Sequence, residues 1–220
     1  MYHIRLKEIT RIRPGDISMD NGKSAGVLSC QFLKKAVSRR RIFSEGAPIT
    51  DEQIQPASLD LRLGGTAYRL VSSFLPENHD VVEKLHAPDA YGLGLVMYET
   101  DISNGGILEK GHVYLIPLME ELNLPEGVRG RANPKSTTGR LDIFARVLTD
   151  RNPRFDDVAS GYRGKLFVEV MPRSFTIKVK QGQSLVQLRL MNGECALTDA
   201  KLKSLHRASR LLYDGDAHLS

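Results

Sequence analysis

Residues 161–171 read GYRGKLFVEVM. Gly161 and Gly164 bracket a tight turn, and from Lys165 onward the side chains alternate with the two-residue period of a strand. Leu166, Val168 and Val170 share one face, while Lys165, Phe167 and Glu169 take the other. The same texture extends in both directions. Upstream lie SLDLRLGGTAYRLV (58–71), HVYLIPLMEELNLPEGVRGRA (112–132) and DIFARVL (142–148); downstream follow SFTIKVK (174–180) and SLVQLRL (184–190). Many short strands, turns at Gly64-Gly65 and Pro125-Glu126-Gly127, and little helix predict an all-β domain with short helices, built as a distorted barrel or jelly roll.

Around this β body the texture changes. Residues 1–26 are polar and basic and read as an N-terminal extension. LSCQFLKKAVSRRRIF (28–43) predicts a short helix capped by Ser29, with Phe32, Leu33, Ala36 and Val37 inward and a basic cluster outward. The stretch 76–106 is weakly patterned and reads as a long excursion, and DAKLKSLHRASRLLY (199–213) reads as a terminal helix. The domain is therefore placed at 27–192, with a helical tail at 193–220.

The 220-residue chain is long enough to bury one sizeable core. Its 41% apolar and 26% charged residues are those of a soluble globular protein, and a net charge of +5 suits anionic ligands. Cys30 and Cys195 stand far apart, which argues against a disulfide scaffold. No run is long enough for a membrane span and no secretory signal is visible, so a cytoplasmic protein with no membrane partner is expected.

Three segments carry candidate chemistry. PKSTTGR (134–140) concentrates a Lys, three hydroxyls, a Gly and an Arg. It departs from a Walker loop at Pro134 and Arg129, so it is either a different phosphate-binding segment or a polar turn. Glu169 is either a solvent-facing strand residue or a carboxylate among apolar neighbours, the setting in which acid–base groups are tuned. Asp60 and Arg62 share a strand face with Ser58, as an ion pair or as part of a site.

QPASLDLRLG (55–64), PKSTTGRL (134–141) and GYRGKLFVEV (161–170), in this order, resemble the dCTP deaminases of the dUTPase-like superfamily, from about Leu28 to Leu190. The resemblance implies a homotrimer with active sites between subunits, and hydrolysis of dCTP to dUTP and ammonia. Glu169, Arg140 and Ser136 would be catalytic. Lys135, Ser136, Thr137, Thr138, Gly139, Arg140, Phe167, Val168, Glu169 and Asp157 would bind substrate, with Arg140 beside Glu169 and the backbone of Arg146–Asp150 holding base and water. Mg²⁺ would ride on the triphosphate, with Asp60 holding it through water, and dUTP or dTTP would be product or inhibitor. A zinc deaminase needs H-x-E and P-C-x-x-C, which this sequence lacks; His86 and His112 read as ordinary residues.

Two alternatives remain. In dUTPases the catalytic Asp falls where Ala159 stands, though Asp156 and Asp157 are close, so a dUTPase or a bifunctional enzyme forming dUMP is the first. A nucleic-acid-binding β-domain using KKAVSRRR (34–41) is the second, weakened by 6% aromatics and no Trp. The family's C-terminal lid is matched only by Tyr213 and Lys203. The chain looks similar to the first half of longer two-domain members, with its tail a linker to a second domain.

Overall fold

The computed structural model describes residues 25–88 and 94–208, with the backbone at 213–214 and 217–218. Nearly all of the expected N-terminal extension, and the side chain of Tyr213, therefore lie outside the described residues. In chain order the elements are β1 (Gly26–Val27), α1 (Cys30–Ser38), β2 (Ile42–Phe43), a 3-10 turn (Asp51–Gln53), β3 (Leu59–Arg62), β4 (Thr66–Leu70), α2 (Val81–His86), β5 (Val96–Asp101), β6 (Gly106–Leu108) and β7 (Val113–Asn123). There follow β8 (Val128–Pro134), α3 (Ser136–Arg140), β9 (Ile143–Thr149), β10 (Asp157–Val158), β11 (Arg163–Pro172), β12 (Ile177–Val179), β13 (Ser184–Asn192), α4 (Asp199–Ala208), β14 (Tyr213–Asp214) and β15 (Ala217–His218).

Two antiparallel sheets face each other. One runs β1-β13-β8-β10, with β3 also on β13; the other runs β5-β4-β7-β11-β9, with β2 also on β7. The mainly-β expectation agrees with this architecture. The alternation that makes Leu61, Ile116, Val147, Val168, Val186 and Leu188 inward-facing fills the space between the sheets. Among the described residues no helix is long and apolar enough to cross a membrane.

The excursion at 76–106 has a structural role that its weak pattern hid. Its helix α2 lays Val81 and Leu85, with Phe74, over the outer face of the second sheet against Leu70, Leu115, Leu148 and Phe167. Asp80 caps the helix in a capping box with Glu83. The Asp150 carboxylate accepts from the Val81 N–H at 2.8 Å, and Arg151 pairs with Asp80 at 2.9 Å. From Leu166 to Val170, strand β11 is thus buried on both faces.

The GYRG turn forms because both glycines stand where a side chain cannot. Gly161 has φ 72°, and a Cβ there would lie 2.6 Å from the Glu126 carboxylate; Gly164 has φ 152°, and a Cβ would meet the Tyr162 hydroxyl at 2.9 Å. That hydroxyl donates to the Lys165 carbonyl at 2.6 Å and accepts from the Asp150 N–H at 3.1 Å. Burial, foremost, pushes its ionisation well above the usual tyrosine range.

Arg62 and Asp60 do not pair with one another. Arg62 crosses to Glu120 of β7, which is fully buried: Nε to Oε1 is 2.7 Å, and the Arg62 backbone N–H donates to Oε2 at 2.7 Å. Gln53 donates to Glu120 at 2.9 Å, and the remaining guanidinium nitrogens reach the carbonyls of Ala47 and Pro48. Removing one partner leaves a buried charge unmatched. Glu120→Ala is therefore expected to cost about 3 to 5 kcal/mol in a denaturant titration, while the double change Arg62→Met with Glu120→Leu recovers most of that loss.

Candidate active site

Glu169 sits in the middle of β11, opposite Leu115 of β7 on one side and Arg146 of β9 on the other. It is 2% exposed, so the reading of a carboxylate among apolar neighbours describes it and the solvent-facing reading does not. Arg146 Nε donates to Glu169 Oε1 at 2.8 Å. The second oxygen, Oε2, is buried and has no hydrogen-bond partner among the described residues. A buried polar atom left open in this way is costly and calls for a functional explanation.

Arg146 is the residue that sequence reasoning missed, having counted it only for its backbone. Its guanidinium lies 3.4 Å from the Phe155 ring centroid and 5.0 Å from that of Phe144, and it donates to Ser73 Oγ at 2.5 Å. Within one chain it occupies the place expected of Arg140. Arg140 instead ends α3 with its side chain in solvent, and no ion pair engages it among the described residues.

The PKSTTGR segment is one short helix rather than a loop. Ser136 and Thr137 are exposed on its first turn. Thr138 turns inward and donates to the Leu185 carbonyl at 2.8 Å, so its hydroxyl is structural. Lys135 pairs with the Asp60 carboxylate, which joins two segments that the sequence left separate. Lys135 and Asp60 thus neutralise one another in the single chain, and a phosphate or a hydrated Mg²⁺ meeting either of them would have to compete with this pair. No group of three or more metal-ligating side chains gathers among the described residues.

The side chains of Phe167 and Val168 are core, one on each side of the sheet. Asp157, half-buried on β10, stands 3.8 Å from Arg131. Ala159 is exposed beside it on the approach to the GYRG turn. Lys203 is exposed on α4. Of the two histidines, His112 meets Arg69 at 2.6 Å and His86 is edge-on to Tyr68, with ring centroids 6.1 Å apart.

A cavity of about 460 Å³ opens beside β9, lined among others by Gly139, Ala145, Arg146, Phe155, Asp156 and Arg173. Strand β9 is the edge of its sheet. At Val147 that edge is taken by Asp156, whose backbone N–H donates to the Val147 carbonyl at 2.8 Å and whose carboxylate accepts from the Val147 N–H at 2.8 Å. By the period of two, the backbone edges of Ala145 and Ile143 face the same way, where both residues line the cavity. The Asp150 N–H is spent on Tyr162. The peptide edges of Ile143 and Ala145 thus border the cavity, while the N–H groups of Val147 and Asp150 have partners within the chain.

The family model for the 2'-deoxycytidine 5'-triphosphate deaminase (DCD) N-terminal domain matches residues 24–194. A dCTP deaminase, dUMP-forming, from Sulfurihydrogenibium is 29% identical over 68% of this chain and 77% of its own length. A dCTP deaminase from Acidianus ambivalens is 25% identical over 64% and 71%. In three dimensions the chain is similar to 2'-deoxycytidine 5'-triphosphate deaminase from Agrobacterium tumefaciens, with a TM-score of 0.77 and 41% identity over 86% of this chain. The match covers 54% of that longer chain, about half its length.

Asp156 holds a left-handed conformation, φ 60°, which Asn tolerates well. Burial, foremost, pushes its carboxyl above the ordinary range, against the Val147 hydrogen bond and the charges of Arg146 and Arg131. The folded state therefore binds this proton more readily than the unfolded one, and the contribution to stability falls as pH rises through the raised value. Asp156→Asn keeps an acceptor for Val147 and removes the charge. It is expected to gain stability relative to wild type between pH 4 and pH 7 in urea titrations at the two pH values.

Proposed function

The chain belongs to the dCTP deaminase N-terminal-domain family, and on that premise we propose that it hydrolyses dCTP to dUTP and ammonia with Glu169 as the proton carrier. The observation that supports this most is the open, buried Oε2 of Glu169 beside a bound Oε1. Glu169 takes a proton from water as that water's oxygen bonds to C4 of cytosine. The same carboxyl delivers that proton to N3, then takes the proton of the new C4 hydroxyl and passes it to the amine; the C4–N bond breaks as the C4 carbonyl forms, ammonia leaves, and the carboxylate is restored. The backbone edge of Ala145 at the cavity suits the hydrogen-bonding edge of a pyrimidine, and the exposed hydroxyls of Ser136 and Thr137 suit phosphate oxygens. Mg²⁺ would arrive as counter-ion of the triphosphate, and no step is routed through it.

In a single protomer Arg140 and Ser136 are exposed, and among the described residues neither contacts the Glu169–Arg146 pair. We infer that a neighbouring copy in a homotrimer completes the site, bringing its Ser136 and Arg140 to this Glu169. The cytoplasm fits such an enzyme, as do the free Cys30 and Cys195. One of the relatives bears the name dUMP-forming and another does not, which keeps a bifunctional reaction as the second reading.

The direct test is incubation of the protein with dCTP and Mg²⁺, followed by resolution of ammonia, dUTP and dUMP. Glu169→Gln keeps the shape but cannot cycle a proton: kcat is expected to fall by ~10² to 10⁴ with dCTP binding within a few-fold of wild type. Wild-type turnover in that variant would move the chemistry elsewhere. Subunit sharing has its own test. Glu169→Gln and Arg140→Ala, each impaired alone, should regain part of the activity when co-refolded, because some mixed sites then carry both intact residues. No recovery in mixed trimers would place both residues in one subunit's site.

A further inference from the structure

We propose that Arg146 is a positioning residue for Glu169, holding Oε1 so that Oε2 alone is presented to the reacting water; this rests on the deaminase reading above. Three independent contacts fix the guanidinium. Its edge donates to Glu169 at 2.8 Å and to Ser73 Oγ at 2.5 Å, and its face lies on Phe155 at 3.4 Å. A planar fork held by an anion, a hydroxyl and a ring keeps one orientation, which an ammonium on a flexible stem would not. The backbone of Glu169 is also held on both sides, flanked by β7 and β9. Of its two oxygens one is therefore fixed and the other is free.

The charge of Arg146 matters as much as its shape. Across the sheet the row on this face reads Glu99, Tyr68, Leu115, Glu169, Arg146. Leu115 separates Glu169 from Tyr68, and His86 of α2 stands beyond Tyr68. Asp142, Asp156 and Arg173 line the cavity in front of Arg146, and the charge of Arg146 also bears on Asp156. Arg146 alone among these side chains is bonded to Glu169. Its positive charge therefore sits on Oε1, while Oε2 keeps its lone pairs for the proton from water.

The test separates this role from a merely structural one. In an Asp156→Asn background, which removes the nearest competing carboxyl, ¹³C-labelled glutamate would give the Glu169 carboxyl signal, identified by its loss in Glu169→Gln. Arg146→Gln should move the titration of that signal to higher pH. Phe155→Leu, which frees the guanidinium but keeps its charge, should move it in the same direction by less, and it carries the test if Arg146→Gln does not fold. With dCTP, Arg146→Gln should lower kcat by about 10- to 100-fold, leave KM within a few-fold, and displace the acid limb of the pH profile upward. Arg146→Lys should recover part of kcat. An unmoved Glu169 titration in the folded variants overturns the proposal. A wild-type protein that does not turn over dCTP overturns the deaminase reading instead, and the titration still decides whether Arg146 governs Glu169.

Discussion

Burial of both faces of β11 is the constraint on which the remainder of the structure depends. One face of the strand closes the main core with Val168 and Val170, and the other supplies Phe167 to the second cluster under α2. A polar side chain on such a strand has no water to fall back on and must find a partner within the protein. Glu169 finds half of one. Arg146 satisfies Oε1, and the register of β9 against β11 supplies that partner as the directly opposite residue.

The helical excursion and the strand order serve this burial. Without α2, the face bearing Phe167, Leu115 and Leu148 would lie open and Glu169 would lose the apolar neighbours that surround it. The helix is tied down by Asp150 and Arg151, which immediately follow β9, so the segment carrying Arg146 also fastens the cover over Glu169. The two sheets are in turn joined through Arg62 and Glu120, a pair with every visible partner in place. That pair fixes β3 to β7, the strand beside β11. Stability and the candidate site are coupled through shared strands rather than shared residues.

Lys135 and Asp60 form a pair that local reading does not reveal. Each stands in a polar motif where a ligand is a reasonable partner, and each is matched by the other across 75 residues of chain. Thr138 is a similar case, since a hydroxyl in a hydroxyl-rich run caps the Leu185 carbonyl instead of facing solvent. What remains free in that helix, Ser136, Thr137 and Arg140, is the smaller set that can meet a ligand or a second subunit.

Periodicity in the sequence determined that the chain is β-rich, where β11 runs, and that Glu169 shares a face with Phe167, because side-chain direction in a strand alternates by local stereochemistry alone. Three motifs in order were enough to identify the family. Pairings between distant residues were beyond reach of the sequence: Arg146 with Glu169, Lys135 with Asp60, Arg62 with Glu120. Each depends on strand register, which is set by how the two faces pack and not by any neighbouring residue. The excursion at 76–106 was opaque for the same reason, since its few apolar residues acquire meaning only against the sheet they cover. The tertiary structure decided which charged groups are spent on one another and which oxygen of Glu169 is left free.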